Sequence, residues 1–255
     1  MSALPVSVII AARDEGAEIA ECIASVAWAA EVIVVENDSK DDTVARARAA
    51  GATVMQHPFR TIGAQRNAAI ERASNEWIFV VDADERGTPE LAAAVGVALA
   101  HADGPVAFRA PRRNFFLGRE ICHGGWERDR PVRLFRRNLR YDERPVHEHV
   151  IVHGAIGALS APLLHTPYAT LSEYFDKLHR YSRWWAEQHY ARGRRASLTD
   201  LTLRPAARFL TMLIVRQGFR DGAHGVVIAV LGAMSVAAKY AQLWAMQGKR
   251  PSMPA

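Results

Sequence analysis

Two carboxylates one residue apart, Asp82 and Asp84, close the run Trp77-Ile-Phe-Val-Val-Asp82-Ala-Asp84-Glu85. In extended chain, residues i and i+2 point to the same face, so both can reach one divalent cation or its bound water. A hard cation such as Mg2+ or Mn2+ takes oxygen ligands and shares them with a substrate's phosphates. The pair therefore predicts a metal-assisted site for a diphosphate-bearing ligand. Asp-x-Asp also arises by chance in acidic loops, and its weight here comes from its place at the end of an apolar run. His165, in Leu163-Leu164-His165-Thr-Pro-Tyr168, is a further candidate for the metal or the diphosphate. A lone histidine more often packs or caps.

A second carboxylate ends the apolar run Val32-Ile-Val-Val-Glu36, where it could accept hydrogen bonds from a base or ribose. Ser39 and Asp41, just beyond it, are read as caps of the next helix. Arg66, in Gly63-Ala-Gln-Arg66-Asn67, opens another helix and could meet phosphate there; a solvated helix arginine is an equal alternative. From Arg109 to Arg144 the chain holds eleven arginines against five acids. Guanidinium forks of this kind suit a phosphorylated partner. Nucleic acid is the competing reading, and the sequence has no RNP pattern, zinc finger or aromatic-interleaved basic strand to support it.

These residues need a frame. Short β-rich runs at Val6 to Ala12, Glu31 to Glu36, Thr53 to His57 and Trp77 to Asp82 alternate with Ala-rich helical stretches at Glu18 to Ala27, Thr43 to Ala50, Gly63 to Ala73 and Pro89 to Ala102. That rhythm predicts an α/β fold with a mainly parallel sheet, which binds ligands beyond the carboxyl ends of its strands. Arg13 to Glu15, Glu36 to Asp38 and Asp82 to Glu85 fall at those ends. A Gly-x-Gly-x-x-Gly turn is missing after the first run, which speaks against a dinucleotide-dependent dehydrogenase. From Val106 to about Ile156 the pattern is β-like and completes the sheet. Beyond Thr170 it turns helical, with Leu171, Tyr174, Leu178, Tyr181 and Trp185 on one face, read as core.

The chain has 255 residues, 49% hydrophobic and 23% charged, with a net charge of +5 that favours an anionic partner. Its two cysteines, Cys22 and Cys122, form neither a metal knuckle nor a disulfide framework, and the first residues carry no leader pattern, so a cytoplasmic protein is expected. No uninterrupted apolar run is read as reaching the ~20 residues of a spanning helix. Seven arginines between Arg192 and Arg220 flank Phe209-Leu-Thr-Met-Leu-Ile-Val215, and Gly222 to Ala238 lacks Asp, Glu, Lys and Arg. Basic residues beside apolar helices fit the surface of an anionic membrane leaflet. A buried helical hairpin and a homodimer interface are the alternatives.

Together these pieces resemble the family 2 glycosyltransferases. Ser7-Val-Ile-Ile-Ala-Ala-Arg-Asp-Glu15 is similar to their opening strand and donor-contacting turn, Glu36 to Thr43 to their second strand with its Asp-x-x-Ser-x-Asp-x-Thr pattern, and Asp82-Ala-Asp84 to their metal motif. Glu36 stands where the family usually has Asp. Gly63-Ala-Gln-Arg-Asn67, Asp82-Ala-Asp-Glu85, Trp126-Glu-Arg-Asp129, Arg133-Leu-Phe-Arg-Arg137, Val146-His-Glu148 and Gly218-Phe-Arg-Asp-Gly222 resemble the lipopolysaccharide-core β-glucosyltransferase branch.

The resemblance implies a GT-A, Rossmann-like nucleotide-sugar-binding domain over residues 1–168, with the donor side at 1–105 and the acceptor side at 106–168. A helical, membrane-interfacial region over 169–247 and a disordered tail over 248–255 complete the expected organisation. It implies donor contacts at Ala11, Arg13, Glu15, Glu36, Arg66, Asp82 and Ala83, acceptor contacts at Trp126, Arg133 and Arg136, and Mg2+ or Mn2+ held by Asp84, Asp82 and His165. The implied activity is inverting transfer of a hexose, glucose first, from a UDP-type donor to a phosphorylated, lipid-linked inner-core saccharide on the inner face of the cytoplasmic membrane. Inverting transfer needs a base for the acceptor hydroxyl. Asp129 and Glu148 are the candidates, Glu148 slightly favoured for its distance downstream of the metal motif. A surface ion pair with a neighbouring arginine is the plain alternative for each. The competing reading of the whole chain is a non-catalytic membrane-surface protein built on a degenerate nucleotide-binding domain.

Overall fold

A computed structural model of the chain describes residues 3–100, 104–144 and 148–248. Val146 and His147 lie outside the described residues, as does the tail from 249 on which the expected disorder falls. The chain divides into two compact units, Met1–Arg113 with Arg128–Thr166, and Asn114–Glu127 with Pro167–Ala255.

In the first unit the expected alternation is present. It runs β1 (Leu4–Ala12), α1 (Ile19–Ser25), β2 (Ala29–Glu36), α2 (Thr43–Ala49), β3 (Thr53–Gln56), α3 (Ile62–Arg72), β4 (Trp77–Asp82), β5 (Glu85–Arg86) and α4 (Pro89–Leu99). The following β-like stretch holds β6 (Ala107–Arg109), the start of β7 (Arg112–Phe116), β9 (Val132–Arg136), β10 (Arg140–Tyr141), β11 (Val150–Ile151), β12 (Ile156–Ala158) and the start of β13 (Leu163–Tyr168). Seven strands form the central sheet in the order β12-β6-β9-β4-β1-β2-β3. Its pairs are parallel except those that β9 makes with β4 and β6.

Both faces of that sheet are buried, which is why β1 and β4 read as continuous apolar runs rather than alternations. Val8, Ile10, Phe79 and Val81 join Ile19, Ile23 and Leu91 of α1 and α4 in one core layer. Ile9, Ile78 and Val80 join Ala69 and Ile70 of α3 in the other. Burying one such side chain contributes about 1.5–3 kcal/mol, so the strand ends are held by a stiff platform. In register, Ala12 pairs with Glu36, Glu36 with Gln56, and Ala11 with Asp82. The three predicted strand ends therefore share one edge.

The second unit contains the hairpin of the β7 end with β8 (Arg119–Ile121), where Leu117 and Gly118 at φ 49° and 80° make a tight turn. It also holds α5 (Leu171–Ala191), α6 (Leu198–Leu210), a π-turn at Thr211–Val215, a 3-10 turn at Gly218–Asp221 and α7 (Gly222–Gln247). Two expectations are corrected here. The aromatic stripe of α5 is not uniformly core: Tyr174 is buried among Phe116, Ile228 and Leu231, whereas Leu171 and Tyr181 are exposed. And the stretch Gly218–Gln247, the 3-10 turn running into α7, is 30 residues long and apolar enough to cross a membrane by length and composition, although it carries Arg220, Asp221 and Lys239.

Candidate functional site

At the carboxyl end of β4, three arginines converge on Asp82. Arg66 Nη2 lies 2.5 Å from Oδ1, Arg112 Nη2 3.0 Å from Oδ2, and Arg133 donates to Oδ2 as well. Glu85, fully buried, accepts from Arg112 Nε at 2.5 Å, from Arg133 Nη2 at 2.9 Å and from the Asp82 N–H at 2.8 Å. The outer arms end on carboxylates: Arg112 Nη1 is 2.8 Å from Asp129, and Arg66 Nη1 is 2.5 Å from Glu148. Three guanidiniums facing four carboxylates are close enough to balance for the set to be buried. Burial acts to raise the Asp82 carboxyl, and the charges of Arg133, Arg66 and Arg112 outweigh it, holding it well below the usual carboxylate range. Burial likewise pushes the Tyr141 phenol up, under the guanidinium of Arg66, which sits 5.0 Å from its ring centroid.

The motif around Arg66 is explained by what it must approach. The Thr61 hydroxyl accepts from Ala64 N–H at 3.0 Å and starts α3. A Cβ at Gly63 would stand 2.3 Å from the Asp142 carbonyl, so only glycine lets α3 close on β10. Asn67 fixes that contact from both sides, donating to the Tyr141 carbonyl and accepting from its N–H, each at 2.9 Å. With α3 so clamped, Arg66 enters the charge cluster from a rigid base.

At the ends of β1 and β2, Glu36 is buried with Oε2 accepting from Ser39 N–H at 3.1 Å, while Oε1 has no partner in the structure. Ser39 does not cap a helix; its hydroxyl accepts from Asp14 N–H at 3.3 Å. Nor is Asp41 the cap of α2, a position held by Asp42; its carboxylate accepts from Thr43 N–H at 3.0 Å and from Gly16 N–H at 2.9 Å. The Glu15 N–H donates to Thr43 Oγ1 at 2.8 Å, so the turn after β1 is laced to the turn after β2. Asp14 and Asp38 hold φ of 54° and 53° in these turns. Arg13 is exposed and Ala83 buried.

Asp84 and His165 are brought together. The β5–β13 pairing sets His165 opposite Glu85, Thr166 N–H donates to the Asp84 carbonyl at 3.0 Å, and His165 Nε2 lies 3.7 Å from Asp84 Oδ1. This carboxylate–imidazole pair fits a Mg2+ or Mn2+ ion that takes its remaining ligands from a diphosphate. Asp82 fits such an ion poorly, since both its oxygens already accept from guanidiniums. Among the described residues, no group of three His, Cys, Asp or Glu side chains is gathered for a metal.

Of the other predicted residues, Arg133 is in the cluster, but Arg136 is not. It pairs with Glu76 and stacks on Trp77 at 4.2 Å, beside the opposite end of β4 from Asp82. Trp126 belongs to the second unit, edge-on to Phe116 at 6.1 Å. Sequence reasoning missed Arg112 and the role of Glu85. The excess of arginine between Arg109 and Arg144 was the signal, but composition cannot say which arginine turns inward.

The mainly parallel sheet with acidic strand ends on one edge is that of a GT-A-like glycosyltransferase, as the family match establishes. Residues 7–160 match glycosyl transferase family 2, and the chain belongs to that family. It is 32% identical over 239 residues, 91% of this chain and 88% of the relative, to the lipopolysaccharide core biosynthesis glycosyltransferase LpsC of Rhizobium meliloti (strain 1021). An uncharacterized glycosyltransferase of Rickettsia typhi (strain ATCC VR-144 / Wilmington) is 26% identical over 93% of this chain and 86% of its own length. Among solved structures, glucosyl-3-phosphoglycerate synthase from Mycobacterium tuberculosis in complex with Mn2+, uridine diphosphate and phosphoglyceric acid is 25% identical, over 44% of this chain and 43% of that one, with a TM-score of 0.37. The chain thus spans under half the length of that solved structure.

Proposed function

We propose that this glycosyltransferase moves a hexose, glucose first, from a UDP-type sugar to a phosphorylated, lipid-linked saccharide of the lipopolysaccharide inner core, with inversion, at the inner face of the cytoplasmic membrane. The observation that carries the reading is the meeting of Glu36 and the Asp82–Asp84 segment on one edge of the sheet in a chain of this family. A departing nucleoside diphosphate gathers negative charge there, which a divalent cation would offset, while Arg66, Arg112 and Arg133, each paired with carboxylates, fix the position of Asp82. The unpartnered Oε1 of Glu36 supports a nucleoside at the adjoining strand ends, where it can accept from a ribose hydroxyl or a base N–H. Similarity to a lipopolysaccharide core biosynthesis glycosyltransferase supports the acceptor class.

Asp84 and His165 are the residues that would hold the divalent cation. When bound, it offsets charge on the diphosphate. Asp82 instead keeps the three guanidiniums aligned. For the base we favour Asp129: its side chain is 42% exposed and only Oδ2 is engaged, whereas Glu148 is 12% exposed and pinned by Arg66. An acceptor hydroxyl at Asp129 would lose its proton as its oxygen attacks the anomeric carbon and the diphosphate leaves from the opposite face.

The test is a donor screen by mass spectrometry, with purified protein, Mn2+ or Mg2+, and truncated lipopolysaccharide cores. Transfer of one hexose from one nucleotide sugar is the expected result. Failure of every nucleotide sugar to bind in calorimetric titration would instead favour a non-catalytic membrane-surface scaffold.

A further inference from the structure

The tip of the α6–α7 hairpin combines two features that ordinarily exclude each other in a water-exposed turn. It is rigidly built, and it is apolar on the outside. A Cβ at Gly225 would lie 1.8 Å from the Gly218 carbonyl, and one at Gly218 would lie 2.7 Å from the Met212 carbonyl, so the turn closes only because both positions are glycine. Gln217 and Gly222 sit at φ 55° and 63° to complete it. Asp221 fastens the first turn of α7, accepting from His123 N–H at 2.9 Å with His123 Nδ1 2.8 Å away. Yet Leu210, Ile214, Val215, Phe219 and Val226 are all exposed, Val215 to 74%. A tightly packed turn does not leave large apolar side chains outside by default. Their exposure calls for a surface that covers them.

The charge around the tip says which surface. From Leu201 to Gly248 the only acidic residue is Asp221, which is buried and engaged by His123. Arg208, Arg216 and Lys239 make no ion pair among the described residues, and Arg220 contacts only the Gln217 amide oxygen, at 2.8 Å. Burial lowers Arg208 and Lys239 below their usual ranges, helped by the neighbouring charges of Arg216 and Arg208 respectively. Such unpaired, partly dehydrated cations are left wanting an anion.

We propose that this tip is a wedge that docks the protein on an anionic phospholipid bilayer. Leu210, Ile214, Val215 and Phe219 enter the acyl boundary, and Arg208, Arg216 and Arg220 meet lipid phosphates. This rests on the membrane-surface reading above and gives it a place and a chemistry. A second copy of the chain is the competing occupant. Its own tip carries the same cations and no free acid to meet them, so self-association there sets like charges together.

The test uses the full chain with vesicles of phosphatidylcholine alone, or with a third phosphatidylglycerol, read by flotation. Wild type should float with the anionic vesicles, more weakly with neutral ones, and be released by high salt. R208Q/R220Q should weaken anionic-vesicle binding roughly 25-fold, at about fivefold per cation, and I214S/V215S/F219S should abolish it. All of these residues are at the surface of the second unit, so calorimetric binding of a nucleotide sugar should be unchanged in every variant. That keeps failure of the wedge distinct from failure of the transferase reading. Equal flotation of wild type and both variants would overturn the proposal. So would a wild type that fails to float and sediments as a dimer that I214S/V215S/F219S converts to monomer.

Discussion

Arg66 and Glu148, 82 residues apart in the chain, form an ion pair at 2.5 Å, and the same guanidinium holds Asp82 at 2.5 Å through its other nitrogen. The α3 arginine is thus the link between the end of β4 and the segment before β11.

Removing it strips Glu148 of its guanidinium partner beside Asp82, which keeps only Arg112 and Arg133. Arg66→Ala should cost about 3–5 kcal/mol, the usual penalty for stripping one partner from a buried pair. Urea unfolding measures this directly. Arg66→Lys should recover part of the stability and little of the transfer activity, because one ammonium cannot reach both carboxylates with the fork geometry.

The roles given to Asp129 and Glu148 predict different kinetics. Asp129→Asn should lower kcat by about 10²–10⁴ and leave donor affinity intact, as loss of a general base does. Glu148→Gln should mainly raise the donor KM by loosening Arg66, and kcat should fall less. A larger kcat loss in Glu148→Gln than in Asp129→Asn would exchange the two assignments.

Glu85 carries no exposed surface and accepts from Arg112, Arg133 and the Asp82 backbone. Glu85→Gln keeps the shape and removes the charge that aligns both guanidiniums. We expect a loss of about 3 kcal/mol in chemical unfolding, together with a donor KM that rises while the acceptor KM holds. A stable variant with unchanged donor KM would show that Asp82 alone orients the arginines.

Much of this frame was legible beforehand because parallel strands buried on both faces leave long apolar runs, and their ends are marked by the first polar residue. Arg13, Glu36 and Asp82 were placed that way, and the register joins the strand ends they mark on one edge. The partners of Asp82 were not legible. A carboxylate at a strand end looks alike whether a metal or arginines will meet it, and Arg112 and Arg133 reach it from strands 30 and 51 residues downstream. Arg136 shows the converse error. It shares a strand with Arg133, but three residues along a period of two turn it to the other face and toward the other end of β4. The exposed tip of the second unit was hidden for another reason, since apolar spacing does not say which side of a helix the rest of the protein covers.

Asp84 and His165, 3.7 Å apart, should answer to metal removal differently from Asp82. Chelation should abolish transfer, and Mn2+ or Mg2+ should restore it in the wild type. Asp84→Asn or His165→Ala should raise the Mn2+ concentration needed for half-maximal activity by an order of magnitude or more, while unfolding midpoints move little. Asp82→Asn should do the opposite, lowering stability without shifting the Mn2+ requirement. Metal titration of the three variants, read by activity and by isothermal calorimetry, separates the two patterns.

Tyr174 ties α5 to α7 by donating its hydroxyl to the Leu231 carbonyl at 2.7 Å. Burial pushes its phenol up to about 12, with neighbouring Tyr168 adding to the rise, against about 10 in the unfolded chain. Because the folded value is the higher one, the neutral phenol's contribution is fully present below pH ~10 and is lost as pH rises through about 12. Tyr174→Phe should therefore cost about 1 kcal/mol at neutral pH, the worth of one hydrogen bond. That difference should shrink in urea titrations run from pH 9 upward, since the phenylalanine variant has no proton to lose. A gap that stays constant up to pH 12 would mean that Tyr174 titrates in the folded protein as it does in the unfolded chain.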